Sequence, residues 1–424
     1  MTMPQTRHYE MKDSGVEWIG KMPSHWRIER AKFHFRQSFE RGNSTPELLA
    51  ATQKHGMYPQ RLLEGVVQVM AGTDLQQFKS VHINDFVISL RSFQGGFERS
   101  DYEGVCSPAY QVFHADKQYD VKWLKWFFKN DMFIDAMNAL TVGIREGRNI
   151  KFDDFANSLL PVPPLSEQTA IAAYLDKKCA TIDAIIAEAK ASIEEYKSWK
   201  ASFIFETVTK GLNPNAEMKD SGVEWIGEIP KGWNLMPFGK IASIKACLVP
   251  PKEYPLLPQI SPDNIEKGSA RLLKNYKTVQ ESGVISWNHH FYKGQIIYSK
   301  VRPTLNKLFL AQFEGLCSAD MYPIETTQDA RYLVYAMLSG YFVQQVAAIT
   351  ANRVKMPKIN KQELSKITVL LPPLSEQASI VSYLDRKCSL IDGIILEKEE
   401  LIKELENYRR SLIFEVVTGK RRVC

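Results

Sequence analysis

Two segments of this chain occur twice, and the stretches between the copies differ. Residues 11–26 read MKDSGVEWIGKMPSHW and residues 218–233 read MKDSGVEWIGEIPKGW, identical at 12 of 16 positions. Residues 163–188 read PPLSEQTAIAAYLDKKCATIDAIIAE and residues 372–397 read PPLSEQASIVSYLDRKCSLIDGIILE, identical at 17 of 26. Segments of ordinary composition would share only about one or two residues over such lengths. The offsets are 207 and 209 residues in a chain of 424, so each copy is half the chain. Solenoid units recur every ~20–50 residues, which excludes that class. What remains is one long duplication: lead, variable block and constant helix, then the same three parts again.

The boundaries follow from the repeats. Residues 1–26 form the first lead, 27–162 the first variable block and 163–211 the central helical region. Residues 212–233 form the linker and second lead, 234–371 the second variable block and 372–424 the C-terminal helical region. Both blocks read as mixed α/β. Residues 85–90 (DFVISL) and 294–301 (GQIIYSKV) are short apolar runs behind turn residues, which predicts strands, and residues 105–113 and 316–324 also read as extended. Apolar residues at helical spacing predict a helix over 121–140 and another over 331–349. The two blocks are therefore expected to be versions of one fold with different loops.

Each constant helix has a start signal. Pro163-Pro164 and Pro372-Pro373 preclude helix upstream, Ser166 and Ser375 suit the N-cap, and Glu167 and Glu376 place negative charge in the first turn. Apolar residues follow at 4-3 spacing: Ile182, Ile186, Ala189, Ile193, Tyr196 and Phe203, then Ile391, Ile395, Ile402, Leu405, Tyr408 and Leu412. So narrow a seam is the coiled-coil pattern. Gly211 and Gly419 suit the C-terminal stops. Residues 166–210 would span about 68 Å at ~1.5 Å per residue, with a break expected near residues 178–181. A long helix with a thin seam buries itself only against a partner, and its second copy supplies one, expected antiparallel. The alternative is that each helix packs on its own block. The fold class expected is α+β: two mixed α/β domains and an antiparallel pair of long coiled-coil helices, related by a pseudo-two-fold.

Composition narrows the class without deciding it. Charged residues make up 24% and the net charge is +6, which permits a polyanionic partner without demanding one. Of six cysteines, Cys106 matches Cys317 and Cys179 matches Cys388 in the duplication, and none lies at zinc-ligand spacing; these read as small buried apolar residues in a reducing compartment. The N-terminus lacks an apolar signal core and no run of about 18 apolar residues exists, so a cytoplasmic protein without membrane attachment is expected.

Searches for catalytic chemistry fail on particular residues. Residues 15–21 (GVEWIGK) nearly match a phosphate loop, but Met22 stands where a hydroxyl belongs and the second copy has Glu228 in place of the lysine. The Pro-Pro pairs follow Val162, Val249 and Leu371, not the Asn or Asp that would hold a target amine. Pro262-Asp263 has no acid-x-lysine after it, and the eight histidines do not recur in equivalent places. No paired constellation for acid–base or nucleophilic work emerges.

Polar and basic residues recur instead beside the predicted strands and before the constant helices. In the first block these are Arg91 and Arg99, then Arg145, Arg148, Asn149 and Lys151. In the second they are Lys300, Arg302, Asn306 and Lys307, then Asn352, Arg353, Lys355 and Lys358. Arg, Lys and Asn grip phosphates and read base edges. Their placement in both halves marks them as candidate DNA contacts.

PPLSEQ leading into YLDKK, a long helix ending FETVTKG, and the leads DSGVEWIG and IPKGW resemble the specificity subunit of type I restriction–modification enzymes over essentially the whole chain. The resemblance implies that each variable block is a target recognition domain reading one half of a split double-stranded DNA sequence. It implies that the helices set the span and dock two methyltransferase subunits, with a restriction and motor subunit in the full complex. S-adenosylmethionine, ATP and Mg are then expected on those partners and none in this chain, which is itself non-catalytic. Half-sites on one face of B-DNA lie roughly 34 Å apart, and a helical pair of about 30 residues spans about 45 Å. Unlike blocks imply an asymmetric target. The competing readings are a self-contained restriction–methylation enzyme, which lacks its motifs here, and a scaffold that binds only protein.

Overall fold

The computed structural model describes residues 10–42, 47–63, 75–140, 150–353 and 355–423. It divides into two compact units: Met1–Ala189 with Glu399–Cys424, and Lys190–Lys398. Each unit thus holds one variable block and a portion of both long helices.

The first and last strands of each block pair with each other. Arg27–Arg30 runs antiparallel to Leu159–Val162, and Asn234–Pro237 antiparallel to Thr368–Leu371. Between them lies a four-stranded antiparallel sheet of the same topology in both units. In the first the order is Phe35–Ser38, Gln111–Ala115, Phe86–Ile88, Glu98–Arg99. In the second it is Ala242–Ile244, Met321–Thr326, Ile296–Ser299, Leu308–Leu310. Beside it the second unit has a five-stranded sheet, Leu248–Val249, Asn288–Phe291, Gly315–Ser318, Pro258–Ile260, Lys277–Thr278, and the first pairs Lys79–Val81 with Gly104–Cys106 in the corresponding place. Each expected block helix is two helices, Val121–Phe127 and Asp131–Leu140, then Ala330–Leu338 and Gly340–Thr350. The second pair breaks at Ser339, whose extended backbone (φ −70°, ψ 152°) cannot continue the helix.

The cores differ in chemistry. In the first unit Phe35, Phe97, Phe113, Phe128 and Phe155 meet at centroid distances of 5.1–6.0 Å, mostly tilted or edge-on, the arrangement ring quadrupoles favour. The second core is mainly aliphatic, with Trp233, Phe238, Phe342 and the tyrosines Tyr298, Tyr322, Tyr332 and Tyr341 set among the aliphatic side chains. Cys106, Cys179, Cys317 and Cys388 are buried and free; burial pushes the Cys106 thiol up to about 12 and the Cys179 thiol up to about 11. No single described helix is long and apolar enough to cross a membrane. The bent pair Ala330–Leu338 and Gly340–Thr350 comes nearest, and its Tyr332, Leu333, Tyr341 and Phe342 are core residues.

The constant helices run Leu165–Lys210 and Leu374–Val417, each unbroken. The expected interruption near residues 178–181 is absent: no Pro or Gly occurs in the first helix, and Thr181 donates its hydroxyl back to the Lys177 carbonyl within the ladder. Helix begins one residue earlier than the expected caps. Pro164 and Pro373 supply the first carbonyls, accepting from Gln168 N and Gln377 N at 3.0 and 2.9 Å, so Ser166 and Ser375 lie inside the first turn.

Within each unit the helices are antiparallel. Asp183 faces Arg409 at 3.1 Å in the first. In the second Lys398 lies over Tyr196, Lys200 Nζ reaches both Asp392 oxygens at 2.7 Å, and Phe203 meets Tyr383 at 5.5 Å. Of the expected seam, Ile182, Ile186, Ala189, Ile193, Ile391, Ile395, Ile402 and Leu412 are buried, Tyr196, Phe203 and Leu405 only partly. Tyr408 is 48% exposed, and the buried stripe passes instead to Ile204, Val208, Ile413 and Val416. A straight helix drifts ~20° per heptad from a strict 3.5 repeat, so 4-3 counting leaves the buried face after a few turns.

The duplicated motifs are two halves of one joint. Trp26 Nε1, closing the first lead, donates to Glu167 at 2.9 Å, and Trp233 Nε1 donates to Glu376 at 3.0 Å. Gln168 and Gln377 are fully buried; each accepts from a block backbone N–H, of Asp120 or Asp329, and donates to the first proline carbonyl of its own motif. Further along, Asp176 accepts from Trp126 Nε1 at 2.9 Å and Asp385 from the Tyr335 hydroxyl at 2.7 Å. PPLSEQ and YLD therefore recur because a helix must be tied to a block twice.

Each helix end closes on a lead. Gly419 has φ +73°, and a Cβ there would meet Pro23 Cδ at 2.4 Å and a Trp26 ring carbon at 2.9 Å. Gly419→Ala therefore combines left-handed strain of about 1–2 kcal/mol with overpacking of about 1–3 kcal/mol. Gly227→Ala, with φ +72° and nothing within 4 Å, carries only the first cost. Thermal denaturation should rank Gly419→Ala well below Gly227→Ala; equal melting temperatures would refute the packing argument.

Candidate nucleic-acid interface

In the second unit, strand directions gather several loops at one end. Pro258–Ile260 runs parallel to Gly315–Ser318, and Asn288 lies opposite Ser318 on the antiparallel strand. Ser299 lies opposite Met321 on the neighbouring sheet. The exits of 258–260, 296–299 and 315–318 and the entry to 288–291 therefore share one end. Residues 261–264, Trp287, residues 300–307 and the Ala319–Asp320 turn meet there.

The two sets of expected contacts are brought together at this end. Val301 bridges Lys358, Arg302 N donates to Pro357 O at 2.7 Å, and Ile359 N donates to Lys300 O at 2.9 Å. Many of the side chains, however, serve the fold. Lys300 Nζ donates to Ala319 O at 2.8 Å and lies over the Tyr322 ring. Lys307 Nζ donates to Pro262 O at 2.7 Å. Asn306 is buried, sits at φ +46°, and donates to Met337 O; a short polar side chain tolerates that backbone. Arg353 grips Glu363 and the Lys358 carbonyl. Glu363 also completes the capping box with Asn360, so Arg353 braces a loop.

What remains exposed and without a side-chain partner among the described residues is Arg302, Asn352 and Lys355. Lys361, the first residue of the helix Lys361–Lys366, is a further exposed cation that sequence reasoning missed. It stands on a helix start, where no strand-end pattern pointed to it. Lys358 is exposed but pairs with Asp320 at 3.1 Å. Burial holds the His289 imidazole below its usual range, and the Lys300 and Lys361 charges press the same way.

In the first unit Arg91 is exposed in the turn after Phe86–Ile88, where Ser89 N donates to Ser92 Oγ at 2.7 Å. Arg99 is engaged by Asp101 and Asn84. Arg145, Arg148 and Asn149 lie outside the described residues. Among the described residues no group of three His, Cys, Asp or Glu side chains is placed to hold a metal ion.

Residues 230–407 match the family model of the type I restriction modification DNA specificity domain. The chain is 32% identical over 290 residues to the type I restriction enzyme EcoDI specificity subunit of Escherichia coli, covering 64% of each chain. It is 25% identical over 287 residues to the type I restriction enzyme MjaVIII specificity subunit of Methanocaldococcus jannaschii, covering 63% of each. Less than two thirds of either relative is thus matched. Among solved structures, a chain from a study of complex assembly and conformational transition of the type I R-M system superposes with a TM-score of 0.67, at 16% identity, over 94% of this chain and 99% of that one. That likeness is one of fold.

Proposed function

We propose that the chain is a specificity subunit of the type I restriction–modification family and that it reads a bipartite, asymmetric target in double-stranded DNA, one half-site per variable block. The observation that carries the reading is the convergence of Arg302, Asn352, Lys355 and Lys361, exposed and unpaired among the described residues, at one end of the second unit. Cations that the fold does not neutralise are what phosphates recruit, and an Asn beside them can reach a base edge. Arg91 would serve the first half-site in the same way.

The bond-making is assigned to partners. A methyltransferase subunit, in two copies, would dock on the constant helices and bring S-adenosylmethionine; a restriction subunit would bring ATP and Mg. This chain's own residues bind, orient and set the span. The joint of Trp26 with Glu167 and Trp233 with Glu376 fits that role, because it fixes each reader on its helix.

Exchange of residues 234–371 for the block of another subunit tests the reading. Methylome mapping of the chimera should show one half-site changed and the other kept; a change in both halves would defeat it. A scaffold that binds only protein predicts no modified site and no loss of DNA affinity with rising salt.

A further inference from the structure

At the end of the second unit that carries Arg302 and Lys361, the chain also sets Trp287 in the open, at the close of a loop that starts from the other end of the sheet and carries Ile285. Ile285 is 84% exposed and Trp287 is 57% exposed. Their loop is held at both ends. Gly283, left-handed at φ +65°, closes the short helix Val279–Ser282, whose Thr278 and Glu281 form a capping box. Asn288, 1% exposed, donates through Nδ2 to the Ser286 carbonyl at 2.8 Å and accepts from Gln259 Nε2 at 3.3 Å. The carbonyl between Ile285 and Trp287 is thus pinned from inside while their side chains remain outside. An exposed Trp contributes little to folding, so a braced Trp beside cations calls for a binding role.

The surroundings select the partner. Arg302, Lys355 and Lys361 are cationic, and the nearby Asp320 carboxylate is taken up by Lys358 and Lys300. A partner that offers anions to the cations and flat apolar faces to the Trp is a nucleic-acid duplex. We infer that Trp287 enters the base stack of the second half-site as an apolar wedge while Arg302, Lys355 and Lys361 hold the flanking phosphates. This rests on the DNA-reading function proposed above and adds a specificity determinant to it. A wedge unstacks the step it enters, and pyrimidine–purine steps yield most easily, so the half-site should carry one at that position.

The test uses the full chain, co-expressed with its host's methyltransferase subunit, and a duplex enriched by it from a randomised pool. The duplex is then remade with 2-aminopurine at successive positions of the second half-site. Apart from the adenine that a methyltransferase subunit itself extrudes, wild type should brighten one further position, the mark of a base unstacked by the wedge. Trp287→Ala should abolish that signal and weaken binding about 10- to 100-fold, the range of a lost base–aromatic contact, with the salt slope unchanged. Trp287→Phe should restore most of both. Leu256→Ala, at the opposite end of strand Pro258–Ile260 and 79% exposed, should behave as wild type. Wild-type affinity and signal in Trp287→Ala would overturn the wedge and leave the DNA reading intact, as would a loss confined to the salt slope or a loss of methyltransferase co-purification alone. If wild type enriches no sequence and its binding ignores salt, the DNA reading falls and the wedge with it.

Discussion

Replacing Arg302, Lys355 and Lys361 together by alanine lowers affinity for duplex DNA about 100-fold at moderate salt and makes the log–log salt slope shallower by about 2.5 to 3. The slope counts phosphates neutralised, about 0.9 per contact, so it separates lost grip from lost shape. These three are chosen because the fold does not use their charges: all are exposed, and none has a side-chain partner among the described residues. Lys300 and Lys307 make the contrast. Their ammonium groups donate to Ala319 O and Pro262 O, so their alanine variants should lower stability more than the salt slope. Anisotropy titrations over a salt series decide it. An unchanged slope in the triple variant would place the interface elsewhere.

The second large effect is on stability. Glu98→Ala should destabilise the first unit by about 3–5 kcal/mol, the usual cost of leaving a buried charge without its partner. Lys129 Nζ donates to Glu98 Oε1 at 2.6 Å and to Gly95 O at 2.8 Å, and the Glu98 side chain is only 4% exposed. Burial raises the Glu98 carboxyl and lowers the Lys129 ammonium from their ordinary values, so the pair is held against a cost of desolvation. It follows that Glu98→Leu with Lys129→Met, which removes both charges and keeps volume, should recover most of the loss. Gly96, at φ +77°, lets the chain pass the Phe128 carbonyl, which a Cβ would strike at 1.9 Å. Chemical denaturation of the two variants checks the ordering; a double variant no better than Glu98→Ala would show that packing, not charge, sets the cost.

Much of the fold was legible in the residues. The duplication marked two halves, and the short apolar runs over 85–90 and 294–301 are the strands Phe86–Ile88 and Ile296–Ser299. Cys106 and Cys317 are small buried strand residues in both copies, as their recurrence suggested. The helix break at 178–181 was not there, because a sequence without Pro or Gly offers the ladder no reason to stop. The seam slipped from Tyr408 to Ile413 and Val416 because drift accumulates with length.

The candidate contacts divide more sharply. Sequence placed Lys300, Arg302, Asn306 and Lys307 beside a strand, yet of these four Arg302 alone has no side-chain partner among the described residues; the others donate to carbonyls two or more elements away. Lys361 and Trp287 gave no signal, since one begins a short helix and the other precedes a buried strand like many aromatics. Local spacing and repetition are carried by the chain itself, so the sequence alone determined the doubling, the element types and the helix that joins them. Whether a given cation is neutralised depends on carbonyls and carboxylates brought from 10 to 45 residues away, and only tertiary packing decides which side chains are left facing solvent with their charge unmet.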